Sequence, residues 1–155
     1  MQVFCGYFFG IKIENKILII GQAPPAVKQE FPYDTTLLYE MLGWVGISKE
    51  QAQDMFEFEA MTDKFPGHGP NGHLKPTLKE MQHHLDTTLN RKIINSDKMI
   101  VLGNVAKEAL LTLTPYGMRK TDPVLFLIHP SKRNYSKIMA QKEQITEQLT
   151  NLLKQ

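Results

Sequence analysis

Ile17-Leu18-Ile19-Ile20-Gly21-Gln22-Ala23-Pro24-Pro25 sets four consecutive large apolar residues directly against a loop of glycine, glutamine and two prolines. A run this short and this apolar suits a strand dry on both faces, as in a parallel α/β sheet, and the strand delivers a stiff loop to its carboxyl end. Gly21 permits close backbone approach, while Pro24 and Pro25 fix φ and withdraw two amide donors, so the chain cannot enter a helix at once. Taken alone, the segment reads equally well as an ordinary strand-ending turn. The rest of the chain decides between the two.

Downstream, strand and helix patterns alternate. Thr35 or Thr36 can cap a helix in which Leu37, Leu38, Met41, Leu42 and Val45 recur at helical spacing up to Gly43 or Gly46, with Trp44 and Met41 as core residues. Phe56, Phe58 and Ala60 alternate with Glu57 and Glu59 in a second strand that ends near Thr62. A long loop from Asp63 to Pro76 carries Pro66, Gly67, Gly69, Pro70 and Gly72, too many turn formers for a casual connection. Thr77 and Glu80 open a helix over Leu78–Leu89 with a capping box. Met99–Leu102 reads as a third strand, Asn104–Leu113 as a helix, Val124–Ile128 as a fourth strand and Lys137–Leu153 as the last helix, with Ile138, Ile145, Leu149 and Leu152 on one face. An extra strand is expected within residues 6–14, at the amino end.

This order predicts an α/β protein of three layers, α/β/α, around a central, mostly parallel four-stranded sheet. The 155 residues, 42% apolar and 22% charged, are expected to make one domain. The single cysteine, Cys5, rules out an internal disulfide or a cysteine-built metal site. Lys12, Glu14, Asn15 and Lys16 interrupt the apolar start before a membrane span is reached, and no basic leader precedes it, so a protein of the cytoplasm or nucleoid, off the membrane and monomeric, is expected. The net charge of +2 hides an asymmetry: residues 1–60 hold eight acids against four lysines, whereas residues 115–137 hold five Lys/Arg against Asp122. The basic end is the candidate anion-binding face.

In a parallel sheet ligands gather outside the carboxyl ends of the strands. That rule selects the loops at residues 21–33, 62–76, 103–104 and 129–135, where the unusual residues lie. In His129-Pro130-Ser131-Lys132-Arg133-Asn134-Tyr135, a histidine can donate to an oxygen that gains negative charge if its other nitrogen is held. Ser131 can bind a phosphate oxygen, and Lys132 and Arg133 can neutralise phosphates or fill a gap in a base stack.

Three motifs in order, Gly21-Gln22-Ala23-Pro24-Pro25, Leu102-Gly103-Asn104-Val105-Ala106 and His129-Pro130-Ser131, each after a buried strand, resemble those of the uracil-DNA glycosylase superfamily over residues 17–153. Phe65-Pro66-Gly67 with Pro76 is similar to the proline-rich middle loop of its bacterial branches. The resemblance implies hydrolysis of the N-glycosidic bond of uracil, or of another deaminated or modified base, flipped out of single- or double-stranded DNA, with no cofactor. It implies that the first motif activates water, that Tyr33 stacks on the flipped base, that His129 stabilises the departing base anion, and that Pro130, Ser131, Lys132, Arg133, Asn134 and Tyr135 enter the minor groove. Gly21, Gln22, Ala23, Pro24, Thr62 and Asn104 would line the base pocket.

The departures are specific. The acid that the best-known branch carries in the first motif is replaced by Ala23, and Gln22 answers the acid or asparagine that other branches place beside glycine; a carboxamide is no general base. Asp34, just after Tyr33, is the candidate for positioning water, and an aspartate before Thr35 and Thr36 is equally a helix cap. Near Met61 and Thr62 the asparagine that reads uracil in several branches is absent, which leaves the excised base open. The iron–sulfur cysteines are absent too. His68 and His73, and the His83-His84 pair, lack the further ligands that a metal site needs, so no metal is expected. A glycosylase fold that binds DNA or a nucleotide without cutting it is the alternative.

Overall fold

In a computed structural model of the chain, the residues described are 7–8, 11–12, 16–22, 35–63, 66–70, 72–114 and 123–154. In chain order the strands are β1 (Tyr7–Phe8), β2 (Ile11–Lys12), β3 (Ile17–Gly21), β4 (Phe56–Ala60), β5 (His68–Gly69), β6 (Gly72–His73), β7 (Met99–Leu102) and β8 (Val124–Leu127). The α-helices are α1 (Thr36–Gly43), α2 (Lys49–Met55), α3 (Leu78–His84), α4 (Asn90–Asn95), α5 (Asn104–Leu113), α6 (Tyr135–Ala140) and α7 (Lys142–Lys154).

The central sheet has the order β4-β3-β7-β8 and every pairing in it is parallel. Alternation along the strands divides the core into two layers. From β3 and β7, Ile19, Ile100 and Leu102 point to one side, where they meet Leu38, Met41 and Leu42 of α1, Ala52 of α2, Ile138 of α6 and Ile145, Leu149 and Leu152 of α7. Leu18, Ile20, Met99 and Val101 point to the other, against Met81 of α3, Ile93 of α4 and Ala106, Ala109 and Leu110 of α5. Helices therefore cover both faces, the three-layer arrangement that the apolar strands demand. Lys142 of α7 lies 5.1 Å from the centre of the Trp44 ring just beyond α1, so a cation–π contact closes one edge of the first layer.

Three details differ from the sequence reading. A helix, α2, precedes β4; it is opened by Ser48, whose side chain accepts from the Gln51 amide while the Gln51 side chain accepts from the Ser48 amide, a capping box in Ser48-Lys49-Glu50-Gln51. The helix that begins at Leu78 does not end at Leu89. It passes through a π-helical turn at Leu85–Leu89 and continues as α4 to Asn95, which keeps Leu85, Leu89 and Ile93 all buried. Here the Thr87 hydroxyl donates to the His83 carbonyl at 2.9 Å, a side-chain bond into the ladder of the kind that bends helices. The last helix is not one rod over 137–153: a 3-10 turn at Lys132–Asn134 leads into α6, and the chain breaks at Gln141 before α7. The extra strand expected near the amino end is present as β1, which pairs with β2 in a short antiparallel ladder of its own, and the long middle loop carries the small antiparallel pair β5 and β6.

Candidate functional site

The chain runs from β3 outward to β4, then returns across β3 to β7 and on to β8. The strand order thus reverses between β3 and β7, and the crevice outside their carboxyl ends is where such sheets bind ligands. Register aligns the strand ends: Gly21 is opposite Ala60, Ile20 opposite Val101, and Leu102 opposite Leu127. Adjacent strands lie about 4.8 Å apart, so the carboxyl ends of all four lie side by side.

At the end of β3, Gly21 is buried and Gln22 half-buried. The Met61 amide donates to both of their carbonyls, at 2.9 Å to Gly21 and 3.2 Å to Gln22, which ties the β4 exit to the first motif. Met61 is fully buried in the α3–α5 layer, leaving Thr62, only 3% exposed, as the polar side chain at that exit. The expected site residues Ala23, Pro24, Tyr33 and Asp34 lie outside the described residues.

Gly103 joins β7 to α5 with a φ of 87°, in the left-handed region that favours glycine. Its amide donates to the Leu127 carbonyl at 2.8 Å, extending the sheet beyond the last strand pair. A Cβ built there would meet the His129 Cβ at 3.1 Å, so the absence of a side chain is what lets His129 sit against the β7–α5 junction. Asn104, the first residue of α5, is exposed. Gly103 is the site residue that the sequence reading misses; the signal for it is a glycine set between a buried strand and a helix start.

His129 is half-buried, and burial lowers its pKa, so the ring is neutral at pH 7. Its Nδ1 is buried and has no hydrogen-bond partner among the described residues. The group expected to hold one ring nitrogen is therefore not among the described residues. Around the histidine the turn is closed by three bonds. The Ser131 amide and the Asn134 side-chain amide both donate to the His129 carbonyl at 2.9 Å, and the Asn134 backbone amide donates to the Ser131 carbonyl at 3.0 Å. Pro130 is buried, Ser131 and Asn134 are half-buried, and Lys132, Arg133 and Tyr135 are exposed, with 47% of Tyr135 open to solvent.

The structure thus brings Gly21, Gln22, Thr62, Asn104 and His129 to one end of the sheet, with Lys132, Arg133 and Tyr135 at its rim. A family model described as the uracil DNA glycosylase superfamily matches residues 9–153. The chain belongs to the uracil DNA glycosylase superfamily. No curated protein matches it significantly. Membership supports a glycosylase-type function and DNA as the kind of partner the family acts on. Among the described residues, no group of three or more His, Cys, Asp or Glu could hold a metal ion, and no helix is long and apolar enough to cross a membrane.

Proposed function

We propose that this chain is a single-domain DNA glycosylase that hydrolyses the N-glycosidic bond of uracil or another deaminated or modified base flipped out of the helix. The observation that carries the reading is the partly buried His129, whose pKa is lowered by burial, set against Gly103 at the switch-point end of the sheet. In the reaction the bond between the sugar C1′ and the base nitrogen breaks, its electron pair leaves with the base, water adds to C1′ as hydroxyl, and the proton released from the water ends on the departed base. A neutral imidazole donates a hydrogen bond to the carbonyl oxygen on which that negative charge collects. Asp34 positions the water. Gln22 and the Ala23 backbone hold the base or water, Tyr33 stacks on the base, and Gly21, Pro24, Thr62 and Asn104 shape its pocket. The hydroxyl of Thr62 offers fewer hydrogen bonds than a carboxamide would, which favours a base specificity wider than uracil.

Lys132, Arg133 and Tyr135 meet the DNA at the rim, supported by Pro130 and Ser131, with Asn134 in the same turn. No cofactor enters the scheme. A monomer in the cytoplasm or nucleoid completes the reading. The carboxamide of Gln22 in place of an acid favours one rival, a glycosylase fold that binds DNA or a nucleotide without cutting. The test is base release from single- and double-stranded oligonucleotides carrying uracil, hypoxanthine, xanthine or hydroxymethyluracil, with wild type, Asp34→Ala and His129→Ala proteins. Release by wild type and its loss in both variants is expected; salt-sensitive binding without release by any of them selects the non-catalytic binder.

A further inference from the structure

We propose that Asn134 is a positioning residue for His129, held inside the turn, rather than a residue that meets the minor groove; the inference rests on the catalytic role assigned to His129 above. Two of its N–H groups are directed inward, the side-chain amide to the His129 carbonyl and the backbone amide to the Ser131 carbonyl. Together with the Ser131 amide they close residues 129–134 into a ring whose anchor is the backbone of the histidine itself. Gly103 also lies close against the His129 Cβ. The histidine is therefore held both by the β7–α5 junction and by the Asn134 amide. Its neighbours differ: Lys132, Arg133 and Tyr135 are exposed, whereas Asn134 is half-buried. Side chains that hold a reacting group in place matter because a displacement of about 1 Å can cost on the order of 100-fold in rate.

The two roles separate in a binding-against-rate experiment. Asn134→Asp keeps the volume but puts an acceptor against the His129 carbonyl, and Asn134→Ala removes the group; if Asn134→Ala does not fold, Asn134→Asp is read alone. For a positioning residue, single-turnover base release at saturating DNA falls at least about tenfold while the dissociation constant for the same oligonucleotide and its salt dependence hold. For a groove residue, binding weakens and the saturated rate is kept, which overturns the proposal. Should the wild type release no base, the His129 ring is followed by NMR, its signal assigned by comparison with His129→Ala. Displaced ring signals and a titration midpoint moved toward the ordinary histidine value in the Asn134 variants uphold the gripping contact and leave only the glycosylase reading refuted. Unmoved ring signals overturn the proposal itself.

Discussion

Gly103 combines a φ of 87° with a built Cβ position 3.1 Å from the His129 Cβ, so it is under two constraints at once. Gly103→Ala is expected to destabilise the fold by about 1–3 kcal/mol, because its φ of 87° with ψ of 163° is open essentially only to glycine, and to displace His129 as well. Urea titration and base release measured together check both effects; full stability with full activity would mean that the junction yields freely. His129 makes a second prediction at this scale. Its pKa is lowered by burial, so below pH 6.5 the unfolded chain takes up a proton that the folded chain refuses. The stability tied to the neutral ring is present above the unfolded value and is lost as pH falls through the folded one. Denaturant unfolding at pH 7.5 and pH 5.5 should accordingly show a smaller acid loss for His129→Asn than for wild type. The strand before His129, β8, is a half-buried edge strand rather than a buried one. The position of His129 just past its end was nonetheless legible in the sequence, because the apolar run stops there. The inward-turned amide of Asn134 was not, because its partner is a backbone carbonyl that the sequence does not distinguish.

At the scale of elements, β4 is an edge strand whose Phe56, Phe58 and Ala60 are buried while Glu57 and Glu59 lie on its other face. Lys92 of α4 bridges both carboxylates, at 2.6 Å to Glu57 and by a hydrogen bond to Glu59. Burial works against the ammonium, but the hydrogen bonds and charges of Glu57 and Glu59 outweigh it, so the Lys92 pKa is raised. That contribution is complete below the unfolded value near 10.5 and disappears as pH rises through the folded one. Because the groups are part-exposed, Lys92→Met is expected to cost no more than about 1 kcal/mol, less at high salt, as read by thermal unfolding at two ionic strengths. A loss that is large and salt-independent would point to packing instead. The strands β3, β7 and β8 and the helix α5 were readable to within a residue, and β4 to within two, since short apolar runs and a helix start after glycine have few alternatives. What escaped were features with weak local signals: α2, only seven residues long; the π-helical turn; and the break at Gln141 between α6 and α7.

Over the whole molecule, the all-parallel sheet, with its order reversing between β3 and β7, brings the carboxyl ends of four strands to one edge. The α/β/α layering followed from the alternation of patterns, whereas strand order did not, because each buried strand is nearly as apolar as the next and pairing partners leave no trace in such runs. Layer integrity predicts that Leu149→Ala, which opens a cavity between α7 and the sheet, costs about 2–5 kcal/mol, measurable by urea unfolding. The site reading predicts that Lys132→Ala and Arg133→Ala each lower the slope of log affinity against log salt by about 1 for DNA of any sequence. The central claim, that this end of the sheet breaks glycosidic bonds through His129, is tested most directly by single-turnover base release at saturating oligonucleotide, wild type against His129→Ala. The account predicts release by the wild type and a loss of about 100-fold or more in the variant, with DNA binding retained. Equal rates in the two proteins would contradict it.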